Sequence, residues 1–319
     1  MFDQLRKNNF LIIGRAGLDL YADPLGTKIE DAQMFSAALG GSAANIAVAL
    51  IRQGCKATLL TSVSDDAVGR YTLKALSSYG VDTRFVMSVG GEVRNSLAVV
   101  ETRAENCQSV IYRNDAADFQ VTEADVDNID FAGFAAVILT GTSLAKEPSR
   151  SAALKAMRLA REAGLLLVID IDYRPYSWRS KAEAQIVCLE AANLCDIIVA
   201  NDEEFAVLAG SQEGLALAGE LANQPGRIVV YKRGGEGCTA FSYEVRFDTP
   251  VFPVTALKPT GAGDAFMGGF ISGLVAGGPL QEAVRRGAAT AAIVVTRVGC
   301  APAMPDATEV HSFMQQAKA

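Results

Sequence analysis

An α/β fold, with a mostly parallel sheet covered by helices on both faces, is what this sequence predicts. Three observations carry that expectation. Short β-rich runs alternate with longer helical runs along most of the chain. The strand runs, such as residues 165–170, are apolar throughout, as strands buried on both faces are. The 319 residues show no repeat, low-complexity tract or Pro/Ser linker, so a single domain over 1–319 is expected.

The elements follow in order. Phe10 to Ile13 place the first strand at residues 9–14. Gly40-Gly41-Ser42 opens a helix over 42–53, and a strand at 57–63 and a helix at 67–79 come next. A strand at 135–140, a helix at 149–163 and the strand at 165–170 follow, the last ending in Asp170. A helix at 181–192 and a strand at 196–200 lead to Asn201-Asp202-Glu203-Glu204, an acidic helix start. A strand at 226–231 precedes a hairpin-like stretch at 238–247. The last third is helical, at 262–277, 280–298 and 306–316. Residues 15–38 and 86–113 break the rhythm. The second alternates apolar and polar residues, as in Ser96 to Val100 and Ser109 to Tyr112. Both segments are expected to project as one small β-lid.

Composition narrows the function. A net charge of −7, with no Lys/Arg-rich block, argues against nucleic acid or an anionic membrane as partner. No apolar run nears the ~20 residues of a membrane span. No signal-peptide pattern opens the chain, and the six cysteines form no CxxC pair, so a cytoplasmic location is expected. His311 is the single histidine and lies in a solvated helix near the C-terminus. A Ser-His-Asp triad or a multi-His metal site is thereby excluded. Proton transfer falls to carboxylates.

The residues that could carry chemistry lie at helix starts and strand ends. Gly261-Ala262-Gly263-Asp264 opens a helix, where backbone N–H groups and the helix dipole suit an anion and Asp264 can take a proton from a hydroxyl. The same residues also suit an Asp-capped helix start. Gly41 and Asn45 open the first helix, either as a ligand contact or as a hinge with a surface amide. Asp19 follows the first strand, as a hydroxyl acceptor or a turn residue. Asp172-Tyr173-Arg174 follows the 165–170 strand. Arg174 suits the carboxylate of an acidic substrate or an internal pair with Asp, and Arg113 in the lid could add a second cation. Asn201 and Glu204 are helix caps or a shell for magnesium-bound waters. Lys232, Gly234 and Gly237 form a β-turn or a nucleotide-contacting loop. A Rossmann dehydrogenase is excluded, because Gly14-Arg15-Ala16-Gly17 lacks the GxGxxG spacing.

Taken in order, Asp19, Gly41 with Asn45, Asn201 with Glu204, Lys232 with Gly234 and Gly237, and Gly261 to Asp264 resemble the PfkB (ribokinase-like) carbohydrate kinases over nearly the whole chain. The resemblance implies a three-layer ribokinase-like fold and ATP–Mg²⁺ phosphorylation of a sugar hydroxyl. It implies that Asp264 is the base and that Gly261, Ala262 and Gly263 form the anion hole. Asp19, Gly41 and Asn45 would hold sugar hydroxyls. Asn201, Glu204, Lys232, Gly234 and Gly237 would serve the nucleotide, with Glu204 reaching the metal through water. Residues 288–295 and 299–303 would line the adenine side.

Residues 140–150 and 170–178 resemble the 5-dehydro-2-deoxygluconokinase branch of inositol catabolism, whose substrate is a sugar acid. The 2-dehydro-3-deoxygluconokinase branch is the alternative, ahead of ribokinase and fructokinase. A sugar-binding regulator on a kinase fold is the reading from outside enzymology, which intact Asp264 and its glycines disfavour. A homodimer built on the lid is implied by analogy. One residue departs from the pattern: Lys258 stands where many members carry an Asp of a monovalent-cation site.

Overall fold

The computed structural model describes residues 2–103 and 106–317. Met1, Ala104, Glu105, Lys318 and Ala319 lie outside the described residues, the middle two within the expected lid segment 86–113. In chain order the elements are β1 (Asn9–Ile13), β2 (Gly17–Asp23), β3 (Met34–Gly40), α1 (Ser42–Arg52), β4 (Lys56–Ser64), α2 (Ala67–Ser78), β5 (Asp82–Val89), β6 (Ser96–Val100), β7 (Ser109–Tyr112) and α3 (Glu123–Asp127). Then come β8 (Ala136–Thr140), α4 (Ser149–Glu162), β9 (Leu166–Asp170), α5 (Lys181–Leu194), β10 (Ile197–Asn201), α6 (Asp202–Ala209) and α7 (Gly214–Ala222). The chain ends with β11 (Ile228–Lys232), β12 (Cys238–Ser242), β13 (Arg246–Thr249), α8 (Ala262–Val275), α9 (Leu280–Val294) and α10 (Ala307–Gln316).

The central sheet runs β13-β12-β11-β10-β9-β8-β1-β4-β5. It is parallel from β11 to β5, and β12 and β13 add an antiparallel edge. β1, β8, β9 and β10 are buried along almost their whole length, which is why their sequences are unbroken apolar runs. One core lies between the sheet and α1, α8 and α9, and the other between the sheet and α4 to α7. The chain leaves β1 toward β4 on one side, while β8 pairs on the other. Such a reversal of strand order opens a crevice at the carboxyl ends of the strands.

A second sheet of four strands, β3-β2-β6-β7, stands apart from the first. It supplies the lid, but not over the whole expected segment. Residues 86–89 belong to β5, which pairs parallel with β4 in the central sheet. The physical reason is that β5 is an edge strand with one neighbour. Its half-exposed pattern therefore resembles a lid strand.

α1 is buried along nearly its whole length, between the sheet and α8. The two helices approach closely at Gly268, where a Cβ would come within 2.3 Å of the Ala49 Cβ. Asn45 and Asp264 each lie four residues earlier, one turn along the same pair of facing stripes.

Candidate active site

Asp264 is the third residue of α8. Gly261 precedes the helix at φ 84, in the left-handed region that glycine adopts without strain. A Cβ there would also press within 2.9 Å of Cys300 Sγ. The first-turn N–H groups of α8, on Gly263 and Asp264, have no partners inside the helix. Lys232, at the end of β11, brings its ammonium beside them: a Cβ on Gly263 would lie 3.4 Å from Nζ. Free donors, the helix dipole and a cation therefore meet at one point.

Asn45 Nδ2 donates to Asp264 Oδ2 at 2.8 Å. Burial pushes the Asp264 carboxyl up to about 7, with Asp172 and Asp170 adding to the rise and Asn45 and Arg174 opposing it. A base poised there is half-ionised near neutral pH. Asp170 and Glu204 complete the acidic side. Burial raises both, Glu204 to about 7, while Lys232 pulls each down. The Lys232 ammonium lies 3.7 Å from Asp170 Oδ1. Burial works against its charge, but Asp170, Glu204 and Asp264 outweigh burial and raise it.

Asn201 and Glu204 cap α6 reciprocally. Asn201 Oδ1 accepts from Glu204 N at 2.8 Å, and Glu204 Oε2 accepts from Asn201 N at 2.7 Å. Glu204 Oε1 also accepts from Tyr173 N at 3.1 Å. Capping and site placement thus coexist in the same side chains. Among the described residues, no group of three or more His, Cys, Asp or Glu side chains could hold a metal directly.

Asp19 is brought to the other side of the site by β2. Its carboxylate rests against Gly40, where a Cβ would lie 1.9 Å from Oδ1. Tyr21 donates its hydroxyl proton to Asp19 Oδ2 at 3.0 Å and lies 3.2 Å from Cys300 Sγ. Gly41, at φ 96, lets the Arg15 carbonyl approach to 2.5 Å from where a Cβ would be. Ser42 Oγ and Asn45 Oδ1 are buried without a hydrogen-bond partner. A substrate hydroxyl would satisfy both.

The cations sort themselves by their partners. Arg113 is buried. Its guanidinium pairs with Asp118, donates to the Thr142 carbonyl at 3.1 Å and stacks 4.0 Å from the Phe119 ring centroid. The expected second substrate cation is therefore a brace between the lid's end and the 140s turn, because its donors are spent inside the protein. Arg174 pairs with Asp172 Oδ1 at 2.7 Å, and its charge acts on Asp264 and Glu204. Asp172 holds φ 38, uncommon for a non-glycine residue, and also accepts from Thr142 Oγ1 at 3.2 Å. Lys258 is 0 % exposed and donates to the Thr260 carbonyl of the anion loop. Burial lowers its proton affinity, with Cys300, Asp264 and Asp19 opposing.

A cleft of about 690 Å³ is lined by Asp170, Arg174, Glu204, Lys232, Lys258 and Asp264 and by an apolar wall that includes Phe252, Ala288, Ala292 and Val295, with Gly234 and Gly237 also in its lining; Asp19, Gly41, Asn45 and Arg113 lie outside that lining. Residues 299–303 do not line it. Their Cys300 instead buttresses Gly261 from behind. Four residues of the site escaped the sequence reading: Arg15, Tyr21, Tyr176 and Cys300. Tyr21 carried a usable signal, since it lies two residues past Asp19 and so on the same face of β2. Cys300 carried none, because only the folded turn brings it to Gly261.

Comparison with known proteins gives this geometry a lineage. A curated 5-dehydro-2-deoxygluconokinase of Photobacterium profundum is 38% identical over 318 residues, covering 98% of this chain and 96% of the relative. One from Geobacillus kaustophilus is 34% identical over 99% and 96%. Among solved structures, a PfkB protein from Polaromonas superposes with TM-score 0.82 at 26% identity, covering 95% of this chain and 99% of the other. A fructokinase from Xylella fastidiosa, solved with bound ATP, superposes with TM-score 0.86 at 23% identity over 98% and 100%, which speaks for the fold. The model of the pfkB family carbohydrate kinases matches residues 7–307, from before β1 through Asp264 and its loop to the start of α10, and the chain belongs to that family.

Proposed function

We propose that this protein transfers the γ-phosphoryl group of ATP to a hydroxyl of a sugar acid, with 5-dehydro-2-deoxygluconate as the first candidate. One observation carries the reading: the Asp264 carboxylate, held by Asn45 at 2.8 Å, lies in the first turn of α8 beside the free N–H groups and the Lys232 ammonium. Asp264 takes the proton of the substrate hydroxyl as its oxygen bonds to the γ-phosphorus, and ADP leaves with the electrons of the broken P–O bond. The amides of the loop and the charges of Lys232 and Arg174 offset the charge that develops on the phosphoryl oxygens. Asp19, Gly41, Asn45 and Ser42 orient the hydroxyls. Gly234, Gly237 and the apolar wall around Val295 suit the nucleotide. Asn201 belongs to the same shell.

Magnesium suits the acidic side only at a distance. Both Glu204 oxygens are already engaged by backbone amides, so this residue and Asp170 would accept hydrogen bonds from metal-bound waters. Bound there, the ion supplies charge neutralisation on the phosphates. The names of the curated relatives favour 5-dehydro-2-deoxygluconate over 2-dehydro-3-deoxygluconate, ribose and fructose. The net charge of −7 disfavours nucleic acid as a partner. No helix among the described residues is long and apolar enough to cross a membrane.

A homodimer through the lid is part of the same proposal. Leu18, Leu20, Leu97, Val99, Val110 and Tyr112 share one face of the second sheet, and the last two are exposed. A second copy would cover that face; a monomer in sedimentation at assay concentration would reject it. The kinase reading is tested by coupled ADP detection over a panel of sugar acids and neutral sugars, with Asp264→Asn as control. The variant should lose about 10²–10⁴ in kcat. Wild-type turnover with ribose or fructose exceeding that with every acid would reject the substrate.

A further inference from the structure

The Arg113 guanidinium lies 3.5 Å from Ser177 Oγ, the residue after Tyr176, and the charges of Arg174, Arg15 and Arg113 all act on the Tyr176 hydroxyl; two of the three already have carboxylate partners. Arg113 is tied to Asp118 and Arg174 to Asp172. Arg15 has no carboxylate within ion-pair distance among the described residues. Its one side-chain hydrogen bond goes to Ser96 Oγ, at a long 3.4 Å. A half-buried guanidinium with no ion-pair partner among the described residues is an acceptor-seeking group, and its planar fork suits a carboxylate.

The backbone of Arg15 is fixed with respect to the base. Its carbonyl accepts from Ala44 N at 3.2 Å, in the first turn of α1, and the next residue of that turn is Asn45, which holds Asp264. Arg15 and Asp264 therefore flank the same turn from two sides. Burial raises the Asp19 carboxyl, and the Arg15 charge is the largest influence pulling it back. Tyr176 is likewise raised by burial and lowered by Arg174 and Arg15. Arg15, whose carbonyl approaches Gly41 and whose guanidinium reaches Ser96 Oγ at the start of β6, beside β2, thus lies at the Asp19 end of the site. Arg174 lines the same cleft as Asp264, Glu204 and Lys232, at the phosphoryl end.

We propose that Arg15 receives the substrate's carboxylate, with the Tyr176 hydroxyl as a second donor, and so sets the preference for an acid over a neutral sugar. This rests on the sugar-acid kinase reading. It gives Arg174 the transferring phosphoryl group instead of the acid.

The test is steady-state kinetics of wild type, Arg15→Gln, Arg15→Lys and Arg174→Ala with 5-dehydro-2-deoxygluconate and with its methyl ester. Arg15→Gln should raise KM for the acid about ten- to a hundred-fold, the weight of a charge-assisted contact, and raise it far less for the ester. Arg15→Lys, which keeps the charge and loses the fork, should fall between. Arg174→Ala should lower kcat on acid and ester alike. Equal losses on acid and ester in both Arg15 variants, with wild type still preferring the acid, would overturn the assignment of Arg15 alone. A wild type indifferent between acid and ester would overturn the sugar-acid reading and this inference with it.

Discussion

Asp264 carries the sharpest consequences of any single residue. Its carboxyl is raised from the usual carboxylate range to about 7, chiefly by burial. The rate should therefore climb with pH through about 7, as the base ionises, before any second group intervenes. The stability consequence has the opposite sign. A carboxyl raised in the folded state favours folding below its unfolded value, near 3.9, and that advantage is lost as pH rises through about 7. Asp264→Asn should then be more stable than wild type at pH 8 by a few kcal/mol, since each tenfold change in proton affinity is worth about 1.4 kcal/mol, with the gain shrinking toward pH 4. Thermal unfolding of both proteins across that range decides it. A Tm difference independent of pH would show that Asp264 is not raised. The meeting of Asp264 and Asn45 at one point was foreshadowed in sequence because each lies next to glycines at a helix start. Arg113 and Arg15 were not legible, because which arginine keeps a free fork depends on Asp118 and Thr142, partners supplied by the fold.

At the level of elements, the expected strands and helices recur with ends moved by a residue or two, apart from the last turns of α9. The 86–89 stretch was misplaced because an edge strand and a lid strand share one alternating pattern. The α1–α8 contact was invisible to such patterns, yet it sets the site. Gly268→Ala should force the helices apart, costing about 1–3 kcal/mol of stability. It should also weaken the bond between Asn45 and Asp264, shifting the pH limb upward, since Asn45 lowers that carboxyl. An unchanged limb with unchanged stability would mean the helices yield elsewhere. The loop before α8 makes a second case. Lys258 is enclosed and hydrogen-bonded to Thr260 of the loop, so its ammonium provides a fixed cation beside the anion hole. Turnover should be nearly flat against KCl at constant ionic strength. Lys258→Met should lower kcat while leaving Tm equal or higher, because a buried charge with no ion-pair partner among the described residues is removed. Strong K⁺ activation of the wild type would refute the role.

Across the whole molecule, a buried tie joins the lid sheet to the turn that follows α9. Tyr21 of the lid sheet bonds Asp19 and lies against Cys300, and Cys300 supports Gly261, just before α8. An outward movement of that sheet would draw on the turn behind Gly261. A kinase faces the hazard that water, always present, accepts the phosphoryl group when no sugar is bound. A hydroxyl that links the lid sheet to the turn behind Gly261 is expected to couple that loop to the sugar side and so limit idle hydrolysis. Tyr21→Phe keeps the ring and cuts the tie. It should raise ATP hydrolysis in the absence of sugar relative to transfer in its presence, read as ADP formed with and without the acid. A ratio equal to wild type would mean that lid and loop move independently.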